Sequence, residues 1–527
     1  MKQIQREHDT AKERRMQVVM PLNLGLKLPE DDSLSLLIEI TEEMDYRELN
    51  AAYERREAAG EASAKQLFQL VTCGFMNGYY SLRKMRDACR YDLRMIYLLR
   101  GRKAPSHERF GDFIRHRLTG DVMENLFYQL VTKLLERGHI SLENLFVDGT
   151  KIEANANRYS FVWGKAVSKN EEKMQAKLQM KLLDLQTEYN TIETPPTLQD
   201  MLTHLYKLKA ERQVTFVSGK GCRKNKLQKD IEELEECRRR QEKYDAHKAI
   251  LNGRSSYSKT DHDATFMRMK EDPMRNGQLK PGYNLQIGVS GEFAVTAGLS
   301  SERSDMLTLM PLMKRMKEKL EQVFTRVIAD AGYESEENYK GLKEMGVEAY
   351  IKPSNYEKGK TRAYRANRFR AENMPYDDAS DSFTCPNGKQ LTLSSKKHSK
   401  SKSGFISEVS VYRCLACADC PMRKLCTKSA SGRTIQRSEA FWAYRAEAQA
   451  RITTELGTQL RMNRSIQSEG IFGVLKQDWG FRRFLRRGSV NVFTEVLLYL
   501  FAFNVAKLHS KIQRQKDGVI IHQLKAS

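Results

Sequence analysis

Cysteine is scarce and unevenly placed in this sequence: there are nine among 527 residues, and four of them crowd between Cys414 and Cys426. A secreted disulfide scaffold spreads more cysteines through a shorter chain, so a reducing compartment is expected. The opening residues, MKQIQREHDTAKERRM, lack the apolar stretch of a secretion signal, and nothing in them directs export. The most apolar run, Phe493 to Ala506, is shorter than the roughly 20 residues needed to span a bilayer. It also carries Glu495 and Asn504, so it reads as a buried helix and the expected location is cytoplasmic. Net acidity is missing too. The formal net charge is +22, with Lys and Arg spread along the chain, which favours a long polyanionic partner, nucleic acid, over a membrane surface.

The length allows about two to four domains, each with its own core. From Leu34 to His139, apolar residues recur at helical spacing, as in Leu67, Leu70, Val71 and Phe75, which predicts an all-helical front domain over 1–139. Within it, KAPSHERFGDFIRHRL sets Pro and Ser ahead of a basic amphipathic segment, either a helix-turn-helix DNA reader or a plain packed helix pair. The pattern changes at Ile140, and residues 140–527 form the second predicted domain. LENLFVDGTKIEANA reads as a buried strand, YNLQIGVSG and EFAVTAGLS as two strands about a Ser-Gly turn, RVIADAGY and VEAYIKP as further strands, with helices between. This is a mixed α/β layer. Two inserts interrupt it. One, about 170–253, is a charged helical hairpin whose Leu227, Ile231 and Leu234 make a short coiled-coil seam, serving either as a brace or as a contact for DNA or a partner. The other, about 355–428, is basic and holds the cysteine cluster.

Three acids stand out by position. Asp148 ends the strand LFVD, Asp330 ends RVIAD, and Glu469 lies on the late helix RSIQSEGIFGVLKQ. Carboxylates at strand ends of an open α/β sheet can converge, and a helix packed on the sheet can add a third. An all-oxygen pocket of this kind suits Mg²⁺ or Mn²⁺, and a pair of ions roughly 4 Å apart supports in-line displacement at a phosphodiester. Lys476 follows Glu469 by two helical turns and shares its face. Arg464 precedes it, and FRRFLRRG adds Arg482, Arg483, Arg486 and Arg487 beside Phe481 and Phe484, residues suited to phosphates and bases or to the core. The polar block Asp261 to Gly282 contains Asp263, Lys270, Arg275 and Lys280. Asp263 rivals Asp148 as a metal ligand but precedes a strand rather than ending one.

The blocks FVDGTKIEANANRYSFVW, DATFMRMKEDPMRNGQLKPGYNLQIGV, IADAGYESEENY and RSIQSEGIFGVLKQDWGFRRFLRRG resemble insertion-sequence DDE transposases, and the likeness runs over nearly the whole chain. By this resemblance Asp148, Asp330 and Glu469 correspond to the catalytic triad, and Lys476 to the lysine seven residues beyond the glutamate. The arginine often found four positions before the glutamate is replaced here by Ser465, with Arg464 one step earlier. The resemblance implies an RNase H-like sheet and two divalent ions. It also implies hydrolysis at transposon ends in double-stranded DNA, strand transfer by the freed 3′-hydroxyl, and a homodimer or higher assembly that joins two ends. A zinc-containing DNA-binding protein without catalysis, and a metal-dependent nuclease without strand transfer, are the alternatives.

YRCLACADCPMRKLC spaces Cys414, Cys417, Cys420 and Cys426 as C-x₂-C-x₂-C-x₅-C, with Cys385 upstream in TCPNG. Thiols this dense in a reduced protein point to structural zinc. Five cysteines compete for four positions. Cys385, Cys417, Cys420 and Cys426 are favoured, with Cys414 as the substitute, and the alternative is a set of unligated thiols.

Overall fold

Alternating apolar and β-branched residues after Ile140 form strands, which pair in the computed structural model as one six-stranded sheet. The structure describes residues 28–29, 31–51, 60–118, 120–190, 196–219, 223–269 and 277–515, so Lys270 and Arg275 lie outside the described residues. The first eight strands are β1 (Asn144–Glu153), β2 (Phe161–Trp163), β3 (Ser256–Ser258), β4 (Thr265–Arg268), β5 (Leu279–Ser290), β6 (Phe293–Ser300), β7 (Arg326–Ala329) and β8 (Glu348–Ile351). Central β1 is antiparallel to β5 on one side and parallel to β7 on the other, and β8 continues parallel beyond β7. The outer edge of β5 takes β6 along most of its length and β4 at its start, giving the path β6-β5-β1-β7-β8. The turn from β5 to β6 needs two left-handed residues, Gly291 and Glu292, as a two-residue hairpin does.

The sheet corrects one expectation. β1 does not stop at Asp148 but runs five residues further, to Glu153. What ends near Asp148 is the parallel pairing with β7, whose last registered pair is Val147 with Ala329. Asp148-Gly149 is therefore mid-strand rather than a turn. At Gly149 an added Cβ would press on the Gln286 amide of β5.

The terminal apolar run forms the helix Ser489–Gln513, longer than the run itself. It is long and apolar enough to cross a membrane, yet it is mostly buried within the protein. One flank packs on the helix Ala64–Met76 of the front, where Phe501 meets Phe68 edge-on at 5.1 Å and Tyr499 meets Phe75 at 4.8 Å. The other flank lies on β6, where Asn504 hydrogen-bonds both the N–H and the C=O of Ala294. Front and sheet consequently share one apolar core that runs from Leu34 to Leu508. The segment around His107 is a short helix capped by Ser106 and extended as a wide turn over Phe113–Arg117, with Phe110, Phe113 and Ile114 buried.

The first insert holds three helices rather than a hairpin of two: Gly164–Tyr189, Leu198–Glu211 and Lys226–Leu251. The seam residues Leu227, Ile231 and Leu234 join Leu178, Leu182, Met201 and Leu205 in a separate small core. β2 and β3 pair at its base. The second insert becomes an antiparallel sheet of β9 (Tyr376–Asp377), β10 (Ser382–Thr384), β11 (Gln390–Lys400), β12 (Ile406–Arg413) and β13 (Thr434–Arg437) around Phe383, Leu391 and Tyr412.

The shared core makes a prediction. Phe501→Ala should cost about 3–5 kcal/mol in denaturant unfolding. Hydrogen exchange should then show protection falling together in Ala64–Met76 and in β6; loss confined to one of them would show that the two parts unfold separately.

Candidate active site

The site is built where β1 and β7 part. Val147 and Ala329 are registered neighbours, so the next residues, Asp148 and Asp330, stand side by side at the divergence. Asp148 accepts a hydrogen bond from Gly149 N at 2.8 Å, and Asp330 one from Gly332 N at 2.8 Å within the short turn Ala331–Tyr333. Burial pushes the Asp330 carboxyl above its ordinary range, and the charges of Asp148 and Asp305 push the same way. The Gly332 N–H and the Arg464 guanidinium pull it back. The two acids thus repel one another in a partly dehydrated spot, an arrangement that a cation would relieve.

Arg464 supplies part of that relief. It lies on the helix Glu455–Gly473, which packs on the sheet, and its Nη1 is 3.3 Å from Asp148 Oδ2. The buried stripe of the helix is Leu460, Asn463, Gln467 and Ile471. Glu469 is exposed, about 140° around the helix from Arg464. The structure therefore brings Asp148 and Asp330 together and leaves Glu469 on the solvent side. Among the described residues, no three His, Cys, Asp or Glu side chains form a group that could hold a metal ion. Beyond Glu469 the helix opens into a π-turn over Val474–Asp478, so the step to Lys476 is not two plain α-helical turns.

Sequence reasoning missed the polar layer beside the pair. Asp305 Oδ1 accepts from Asn284 at 2.6 Å and from Gln286 at 3.1 Å, and the buried Tyr333 hydroxyl donates to Gln286. Two buried amides at alternate positions of the strand YNLQIGV were the available signal.

The arginine segment is mostly structural. Phe481 and Phe484 are core residues. Arg483 donates to the carbonyls of Ala154 and Ala156, Arg487 to that of Asn155 at 2.7 Å, and Arg482 to that of Lys476 at 3.3 Å. These contacts staple the segment to the loop after β1. Arg486 is partly buried beside Glu495. Asp263, the rival ligand, accepts from Ser489 N and Oγ and so anchors the start of the terminal helix, while Lys280 pairs with Glu153 at 3.5 Å.

In the second insert, Cys385, Cys414, Cys417, Cys420 and Cys426 all line a cavity of about 20 Å³. Backbone N–H groups of Lys389 and Arg433 point at Cys385 and Cys417, and the Asn387 amide at Cys420. Cys414 differs: it belongs to the insert's apolar core, and burial with its Cys417 contact pushes its thiol up to about 11.

The raised pKa of Asp330 fixes a sign. A carboxyl raised above its unfolded value stabilises the fold when protonated, and that contribution is lost as pH rises through the folded value. Asp330→Asn should therefore melt a few degrees higher than the parent at pH 7, with the gap closing towards pH 4. A lower melting temperature at pH 7 would contradict the repulsion.

Two family models match the chain. Residues 22–116 match one described as a Transposase domain. Residues 384–509 match one described as a Transposase DDE domain, a stretch that holds the cysteine sheet, Glu469, Lys476 and most of the terminal helix, and that excludes Asp148 and Asp330. No curated protein matches, and no solved structure does. With both transposase domains matched in this order, the chain is similar to insertion-sequence DDE transposases.

Proposed function

We propose that this chain is a transposase that cuts DNA at the ends of its element and transfers the freed 3′-hydroxyls to target DNA, using Asp148, Asp330 and Glu469. One observation carries the reading: two carboxylates from separate strands meet where β1 and β7 diverge, with an arginine from the packed helix reaching one of them. The path β6-β5-β1-β7-β8, antiparallel on one side of β1 and parallel on the other, supports an RNase H-like catalytic sheet.

DDE transposases normally use divalent metal ions. Asp148 and Asp330 fit such an ion in chemistry, since Mg²⁺ is commonly held by one or two carboxylates, waters and substrate phosphate. When bound, Mg²⁺ or Mn²⁺ would supply activation of the attacking oxygen and charge neutralisation at the leaving one. The protein's own contribution is placement. Gly332 N–H and Gly149 N–H fix the two carboxylates, Arg464 balances their charge, and the staples of Arg483 and Arg487 hold the basic segment beside the loop after β1. Glu469, exposed in this structure, is taken as the third acid, and Lys476 as a phosphate contact, while Arg482 and Arg487 are spent on backbone carbonyls. Pairing of two ends requires a dimer or a larger assembly on double-stranded DNA in the cytoplasm.

We also propose structural zinc on Cys385, Cys417, Cys420 and Cys426, which line one small cavity although their thiols are not gathered into a metal-holding group in this structure. N–H donors are aimed at Cys385, Cys417 and Cys420, whereas Cys414 belongs to the insert's apolar core and burial raises its thiol. An all-thiolate site leaves no open position for hydrolysis.

Two experiments test this. The parent, Asp148→Asn, Asp330→Asn and Glu469→Gln are incubated with Mg²⁺ and DNA carrying the sequences that flank the gene. Each variant should lose cleavage by about a thousandfold or more. Unchanged cutting by Glu469→Gln would remove the glutamate, and cutting without joined products would leave a nuclease. Separately, Cys420→Ser should lose protein-bound zinc while Cys414→Ser keeps it; zinc retained by both would overturn the ligand set.

A further inference from the structure

A cleft of about 600 Å³ opens between the helical front and the segment leading into the terminal helix, lined by Tyr80, Arg115, Asn155, Arg486, Asn491 and Glu495 among others. Arg115 comes from the wide turn of the front and Arg486 from the basic segment, so residues of both parts of the chain line the cleft. Its charges are unbalanced. The Arg486 guanidinium makes no hydrogen bond among the described residues, and Arg115 is close enough to add like-charge repulsion.

Arg486 is partly buried, and its guanidinium offers five donors to a ligand in the cleft. The nearby acid does not satisfy it. Both oxygens of Glu495 are taken by backbone N–H groups, from Leu485 at 3.0 and 3.2 Å and from Arg486 at 3.1 Å. Burial also pushes the Glu495 carboxyl up to about 7, which weakens its countercharge at neutral pH. Three arginines, Arg115, Arg486 and Arg487, line the cleft against the single carboxylate of Glu495, and this excess of positive charge is the arrangement of an anion site. The rest of the lining is less purely ionic. Asn155 and Asn491 spend their amide N–H groups on the carbonyls of Leu485 and Arg487, and their amide oxygens receive no hydrogen bond from the described residues. Those oxygens suit the N–H groups of a base, and Tyr80 adds an aromatic wall.

We infer that this cleft holds one nucleotide of a DNA strand, its phosphate on Arg115 and Arg486 and its base against Asn155, Asn491 and Tyr80. The inference rests on the reading that the chain handles DNA, and it deepens that reading by naming where a strand ties the front to the catalytic half. It asks nothing of the acid pair.

The test is fluorescence anisotropy with a short fluorescein-labelled single-stranded oligothymidylate and the full chain. Arg115→Gln and Arg486→Met are compared with Lys207→Gln, which removes the same charge from an exposed site on the first insert. Arg115 is exposed, so its substitution should leave the melting temperature unchanged and keeps the test open if Arg486→Met folds poorly. Arg115→Gln should weaken binding about tenfold and flatten the salt dependence by about 0.7 in log–log slope, the share of one phosphate on a single strand. An abasic oligonucleotide should bind several-fold more weakly than oligothymidylate. Equal binding by Arg115→Gln and Lys207→Gln would overturn the site, as would equal binding of the abasic strand. Displacement by inorganic phosphate as effective as that by unlabelled oligothymidylate would reduce the cleft to a simple anion site and overturn the nucleotide assignment. Cleavage by the parent is measured separately, so failure here leaves the assignment of the acid pair standing, and the reverse.

Discussion

The parallel pairing of β1 with β7 is the constraint on which the rest depends. It carries two carboxylates to one point of the sheet, half out of water, and forces them to share a field that neither would tolerate alone. Like charges held this way cost stability, and folds keep such pairs where the cost is returned in ligand binding. The surrounding residues fit that balance. Two backbone N–H groups fix the carboxylate orientation, Arg464 reaches across from the helix above, and the Gln286–Asn284–Asp305–Tyr333 layer sets the polarity beneath.

A second constraint makes the molecule one body. The terminal helix is apolar on nearly every side because it has neighbours on nearly every side: the front helices, the sheet and the basic segment. Its start is fixed by Asp263, and the loop before it by Glu495 and Asp261. Displacements of the front or of the basic segment are thereby coupled mechanically to the sheet that carries the acids. Fully buried polar groups such as Glu495 and Asn504 are tolerated there only because each is hydrogen-bonded to backbone.

Much of this was legible in the sequence, for identifiable reasons. Strands β5 to β8 and the helices between them follow from short apolar runs with clear stops, because local pattern and tertiary burial agree there. Asp148 and Asp330 were visible because an acid at the end of an apolar strand is out of place. The end of β1 was misplaced because the apolar run stops at Asp148, whereas the strand continues through polar residues held by pairing with β5. The third helix of the first insert escaped because its burial depends on two partners distant in sequence. Phe481, Phe484 and the arginines beside them look like a DNA-binding run, and composition cannot distinguish that from a staple to backbone carbonyls. The orientation of Glu469 was equally hidden, since a one-residue shift of Arg464 turns the helix face by about 100°.

The central claim is that Asp148 and Asp330 form a divalent-ion site. The most direct measurement is anomalous scattering from Mn²⁺ in crystals of the chain bound to DNA. The account predicts a peak within coordinating distance of both carboxylates, with Glu469 drawn towards it. A structure in which Mn²⁺ binds elsewhere, while Arg464 still holds Asp148 and DNA lies across the site, would contradict it.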